Sequence, residues 1–196
     1  MSFEGLELLN DLVDDALADD AVKGIVITSG KDTFAGGMDL NLLAKMMESA
    51  GDDAAKGLFE GTMKMHGLLR KIELAGMDRK TQKGGKPSAS AIPGTAVGIG
   101  LELPLATHRT FVANNPKARL GLPEILVGIF PGAGGTTRLT RMLGAMGASP
   151  FLLEGKLSAP DAAKKAGLIH EVSDDPMADA RAWVLSAKDA DLVKPW

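Results

Sequence analysis

Residues 88–113 read SASAIPGTAVGIGLELPLATHRTFVA. The small residues that run up to Ile92 predict a strand, Pro93, Gly94 and Gly98 punctuate a turn, GIGLEL opens a short helix, and Thr110 to Ala113 return to strand. Pro104 fits such a helix in its first turn, where a missing N–H has no intrahelical partner, and this sets the expected helix start near Ile99 to Glu102. Strand, turn, helix and strand within one short stretch point to an α/β fold.

The flanks repeat the alternation. Phe3, Leu6, Leu9, Val13 and Leu17 have helical spacing in an acidic N-terminal segment, and Gly24 to Thr28 form a β-branched run closed by Ser29 and Gly30. KDTFAGGMDLNLLAKMM predicts a loop running into a helix capped near Asp39, followed by a second helix near Leu58 to Leu74 and an exposed basic loop, MDRKTQKGGK. Further on, LGLPEILVGIFPGAGGTTRLTRMLG holds an apolar stretch, a Gly-rich turn and an amphipathic helix bearing Arg138 and Arg141. A helix, a strand over Leu168 to Val172 and a last helix ending near KPW complete the reading. No repeat of fixed period and no low-complexity tract interrupts it.

Composition narrows the function. The 196 residues suit a single domain, and 45% hydrophobic with 24% charged residues is a globular balance. No apolar run approaches the roughly 20 residues that cross a bilayer. A net charge of -3 lacks the basic field of general nucleic-acid binders. With no cysteine there is no disulfide and no thiolate nucleophile or thiolate zinc site, so the expected setting is reducing and cytoplasmic. Twenty-four glycines beside an aromatic content of 4% suggest recognition by backbone.

Nucleotide motifs fail on inspection. GIGLEL has Leu103 where a dinucleotide fingerprint needs its third glycine, and PGAGGTTR lacks the lysine of a phosphate loop. His66, His108 and His170 share no ligand-like spacing, and each reads as a surface or helix-face histidine. Glu102 and Glu124 stand out, because each carboxylate sits in apolar company where ionisation is costly. A coupled pair with raised pKa values divides acid and base roles. The plainer readings are a solvated helix position for Glu102 and a first-turn helix residue after Pro123 for Glu124. TFAGGMD and VGIGLE each place glycines before a helix start, which exposes polarised backbone N–H groups suited to an oxyanion; plain tight turns are the alternative.

TFAGGMDL, KPSASAIPGTAVGIGLEL and ARLGLPEILVGIFPGAGGTTRL, in that order, resemble the enoyl-CoA hydratase/isomerase (crotonase) family. LELPLATHRTFVANNPKARLGLPE and KDADLVKPW are most similar to the hydratase domain of multifunctional fatty-acid oxidation proteins, in which a hydroxyacyl-CoA dehydrogenase follows. The resemblance implies a single-domain ClpP/crotonase-like superhelix of repeated ββα turns over residues 1–196, shortened at both ends relative to the family. It implies catalytic glutamates at Glu102 and Glu124, oxyanion-hole N–H groups at Met38 and Ile99, and a water-positioning amide at Gly132. Gly36, Met38 and Leu40 match the stretch that lines the CoA moiety. Ile99 stands where the family usually has glycine, and Met38 replaces a small residue.

The activity implied is hydration of 2-enoyl-CoA to 3-hydroxyacyl-CoA in β-oxidation, with the CoA thioester as substrate and neither cofactor nor metal. Double-bond isomerisation or another crotonase-type acyl-CoA reaction is the alternative within the family. A catalytically silent acyl-CoA-binding or assembly subunit is the alternative outside it. The resemblance also implies a homo-oligomer, trimer or hexamer, and a place in a larger β-oxidation protein.

Overall fold

The computed structural model describes residues 2–39 and 53–194. The helix expected to begin near Asp39 lies, from Leu40 onward, outside the described residues, as does the end of KPW. Helix α1 (Phe3–Ala18) buries Leu6 and Val13, starts at a Ser2 cap and leads to strand β1 (Ile25–Ile27). Helix α2 (Ala54–Leu74) is capped by the Asp53 side chain and ends at Ala75 in the left-handed conformation.

The decisive stretch folds as β2 (Ser88–Ile92), β3 (Ala96–Val97), α3 (Ile99–Ala106) and β4 (Arg109–Ala113). Downstream come β5 (Leu120–Gly121), a 3-10 helix (Pro123–Val127), α4 (Gly135–Leu153), β6 (Leu157–Ser158), α5 (Pro160–Lys165), β7 (Glu171–Ser173), α6 (Pro176–Ser186) and a 3-10 turn at Asp189–Leu192. β1, β2, β4 and β7 form a parallel sheet in that order, and β3, β5 and β6 form a second, mixed sheet. The chain therefore climbs in turns. β2 joins the first sheet, β3 the second, and α3 follows; β4, β5 and α4 repeat this one turn later. β1 begins an earlier turn in which Ala35 bridges to Ala96 of β3, before α2. These are the ββα turns that the resemblance implies, and their unequal helix lengths explain why the sequence shows no fixed period.

All five residues of β2 are buried, because both faces of this central strand are covered. Ala89 and Ala91 face Phe111, Ala180 and Val184, while Ile92 enters the main core with Leu101, Leu105, Val112 and Leu139. Small side chains let α6 lie close on the sheet. Ser88 and Ser90 face inward, and their hydroxyls are satisfied by His108 and Thr107.

Three local expectations need correction. Pro104 is the sixth residue of α3, in its second turn; the helix has only eight residues, so the missing N–H interrupts little. The strand expected over Leu168 to Val172 runs from Glu171 to Ser173, since Leu168 and Ile169 are core residues of the preceding loop. His108 is not on the surface: it is buried, with Nδ1 accepting from Ser88 N–H at 2.9 Å and Nε2 donating to the Glu73 carbonyl at 3.1 Å. Burial and the Lys194 charge push it down to about 4, so it stays neutral.

Candidate active site

Three successive turns meet at one apolar cavity of about 420 Å³. Gly36, Gly37 and Met38 come from the first, Gly98, Ile99 and Glu102 from the second, and Glu124, Gly132 and Ala133 from the third. Leu126, Val127, Ile129 and Phe130 form its lip, with Phe130 71% exposed. The apolar stretch after Glu124 is thus a cavity wall.

The floor is set by backbone. Residues 34–37 run beside 95–98: Phe34 N–H and Ala35 N–H donate to the Thr95 carbonyl, and Val97 N–H donates to the Ala35 carbonyl at 3.0 Å. Past the Ala35 to Ala96 pairing the two segments run into the cavity, which Met38 and Ile99 both line. Ile99 is the first residue of α3, where a helix leaves its N–H groups without intrahelical acceptors. Gly98, at φ +58 and ψ -135, adopts a conformation closed to side-chain-bearing residues. Gly100 lets Ala35 pack directly on α3, since a Cβ there would fall 2.5 Å from the Ala35 carbonyl oxygen. The Ile99 side chain turns into the core beside Leu68 and Leu69 while still touching the cavity, and Met38 is half-buried against the same cluster.

Glu102 is only 2% exposed, which removes the solvated-helix reading. Its Oε1 accepts from Ala133 N–H at 3.0 Å and Gly135 N–H at 2.7 Å. Burial, with the Glu124 charge adding to it, pushes this carboxyl up to about 7 against those two donors and the Arg138 charge. Glu124 sits in the first turn of the 3-10 helix after Pro123, as its plainer reading had it, yet it also lines the cavity. Burial raises its pKa as well. Its Oε2 is buried and has no hydrogen-bond partner among the described residues.

Gly36, Met38, Ile99, Glu102, Glu124 and Gly132, singled out from the sequence, therefore converge; Leu40 lies outside the described residues. Residue types gave no hint that FPGAGG turns the amides of Ala133 and Gly135 onto Glu102, because backbone donors carry no side-chain signature. The half-buried His66 was also missed: its Nε2 donates to the Gly132 carbonyl at 2.8 Å. Gly135 has a steric reason, since a Cβ there would lie 2.8 Å from Glu102 Oε1 and 2.9 Å from Leu122 Cδ1. Gly135→Ala is expected to displace Glu102 and to cost about 1–3 kcal/mol of stability by overpacking. Urea unfolding checks the cost, and a neutral result would mean that the carboxyl is less tightly seated than described.

Comparison with known proteins agrees with this architecture. The family model described as enoyl-CoA hydratase/isomerase matches residues 4–187. The fatty acid oxidation complex subunit alpha of Shewanella frigidimarina is 34% identical over 95% of this chain, and the glyoxysomal fatty acid beta-oxidation multifunctional protein MFP-a of Cucumis sativus is 33% identical over all of it. The chain spans about a quarter of the length of these curated relatives, 24% and 25%. The crystal structure of an enoyl-CoA hydratase from Bacillus anthracis superposes with a TM-score of 0.76 at 27% identity, covering 97% of this chain and 67% of that one. The ββα turns are thus those of the crotonase fold. Running through every element from α1 to α6, the family match makes this chain a member of the enoyl-CoA hydratase/isomerase family.

Proposed function

We propose that the chain hydrates 2-enoyl-CoA thioesters to 3-hydroxyacyl-CoA, and that Glu102 and Glu124 are its acid-base pair. The observation that carries this reading is that two carboxyls with raised pKa values line one apolar cavity. An isomerase needs only one carboxylate to shuttle a proton, whereas water addition uses both.

In this reading the thioester oxygen lies against the N–H groups of Met38 and Ile99, where enolate charge develops; each such donor contributes about 10² to 10³ in rate. The pair holds one proton. We assign it to Glu124 as the proton donor to carbon 2, the role the family resemblance implies, which leaves Glu102, seated on two N–H donors, to act as the carboxylate once the pH exceeds about 7. The Glu102 carboxylate takes a proton from water as the water oxygen bonds to carbon 3, and Glu124 delivers its proton to carbon 2. The elements of water have then been added across the double bond, and the pair again holds one proton, now on Glu102. Proton exchange with solvent restores the starting state. Gly132, on the cavity wall, helps hold the water, Gly36 and Met38 face the CoA moiety, and the apolar lip takes acyl chain. No step calls on a metal or a redox cofactor.

Crotonyl-CoA tests the reading through loss of its conjugated enoyl-thioester absorbance. Turnover to the 3-hydroxy product is expected. Turnover confined to a 3-enoyl substrate would make the chain an isomerase, and a folded protein inactive on both would leave an acyl-CoA-binding subunit.

A further inference from the structure

The turn that presents N–H groups to Glu102 is held from behind. All described peptide bonds are trans, so the C=O and N–H of one peptide unit point in opposite directions. In the unit joining Gly132 to Ala133, the N–H donates to Glu102 Oε1 at 3.0 Å and the carbonyl accepts from His66 Nε2 at 2.8 Å. A carbonyl oxygen only accepts, so Nε2 carries the hydrogen. The next carbonyl, that of Ala133, accepts from Arg138 Nη1 at 3.2 Å, and the carbonyl of Gly134 accepts from Arg138 N–H at 3.0 Å. Three consecutive carbonyls are thus fixed while two N–H groups face one carboxylate oxygen. His66 is the only one of these clamps that α2 supplies directly.

We propose that His66 is a positioning residue for Glu102, acting through the Gly132–Ala133 peptide and never touching substrate. A peptide held at both ends cannot rotate, so the Ala133 N–H stays aligned with the carboxylate. Alignment matters because hydrogen bonds weaken steeply as they bend, and a bond to an ionised acceptor is about twice as strong as a neutral one. The inference builds on the assignment of Glu102 as the base, but its central observable does not.

That observable is the ionisation of Glu102, followed through its side-chain ¹³C shift in glutamate-labelled protein and assigned with Glu102→Gln. The charged groups that act on it are Glu124 from the 3-10 helix and Arg138 from α4; from α2, His66 lies behind the turn on the Gly132 carbonyl and Glu73 pairs with Arg138. In His66→Leu the Ala133 N–H loses its support, so the Glu102 midpoint is expected to rise by about one pH unit, a tenfold smaller carboxylate-to-acid ratio at a given pH. His66→Gln, whose amide nitrogen reaches the place of Nε2, is expected to restore the midpoint, and the shorter His66→Asn is not. Restoration by a neutral side chain separates positioning from any effect of imidazole charge. An unmoved midpoint in folded His66→Leu overturns the proposal, as do equal midpoints in His66→Gln and His66→Asn. Should the native chain fail to hydrate crotonyl-CoA, the hydratase reading falls while the titration still decides the role of His66. If it does hydrate, the acid limb of kcat is expected to move with the midpoint, with KM unchanged.

Discussion

On the proposed hydratase reading, replacing Glu102 by glutamine is expected to slow turnover by about 10² to 10⁴-fold and, at pH 8, to stabilise the fold by on the order of 3 kcal/mol. The two effects have one origin. Glutamine keeps a carbonyl oxygen where Oε1 accepts from Ala133 and Gly135, so the turn stays seated and only the capacity to take a proton is lost. The gain in stability follows from the raised pKa. Glu102 moves from 4.5 to about 7 on folding, so the folded state holds its proton more tightly than the unfolded state. The resulting contribution is fully present below pH 4.5 and is lost as pH rises through 7. Above that range the native protein carries the cost of a buried ionised carboxylate, and glutamine does not. Urea unfolding at pH 5 and pH 8 checks this: the variant should gain much less at the lower pH, and an equal gain at both would contradict the linkage. On the proposed reading, the site trades stability for an ionisable base.

The second large effect concerns a pair outside the cavity. Arg138 Nη2 and Nε reach Glu73 Oε2 at 2.6 and 3.1 Å, and the side chains of Arg138 and Glu73 are 8% and 5% exposed. Glu73→Leu would strand the guanidinium without its carboxylate, and a loss of about 3–5 kcal/mol is expected by denaturant unfolding. Pairing it with Arg138→Leu should recover part of that loss, because the uncompensated charge leaves with the arginine while its hydrogen bond to the Ala133 carbonyl is lost with it. If the single variant were no less stable than native, Arg138 would have to find another anion or reach solvent. Arg70, at 2.6 Å from Glu73 Oε1 but 45% exposed, adds less.

Much of this architecture is legible in the sequence for physical reasons. Periodicity reveals α1, α2 and β1, and glycine and proline punctuation reveals the order β2, β3, α3 and β4. Glu102 and Glu124 announce themselves because carboxylates are rarely surrounded by leucine, isoleucine and proline without cause. What escapes is tertiary. The Glu73 to Arg138 pair joins residues far apart in sequence, and nothing local in α2 marks Glu73 as buried. His108 looks like any polar residue after a helix until Ser88 and the Glu73 carbonyl enclose it. β7 starts later than the apolar run implies, because a buried loop and a buried strand share the same run of apolar residues.

The division of the site among three turns also bears on how the protein folds. Each parallel pairing joins segments separated by an intervening helix, as when Ile25 pairs with Ser88 or Phe111 with Glu171, so local contacts give little help and folding should be slow for the chain's size. No contiguous segment holds Met38, Glu102, Glu124 and Ala133 together, so the cavity exists only with all three turns in place. Slow hydrogen exchange at the Ala133 and Gly135 amides would therefore track the docking of these three turns on one another, which makes these two amides a convenient gauge of when the site has formed.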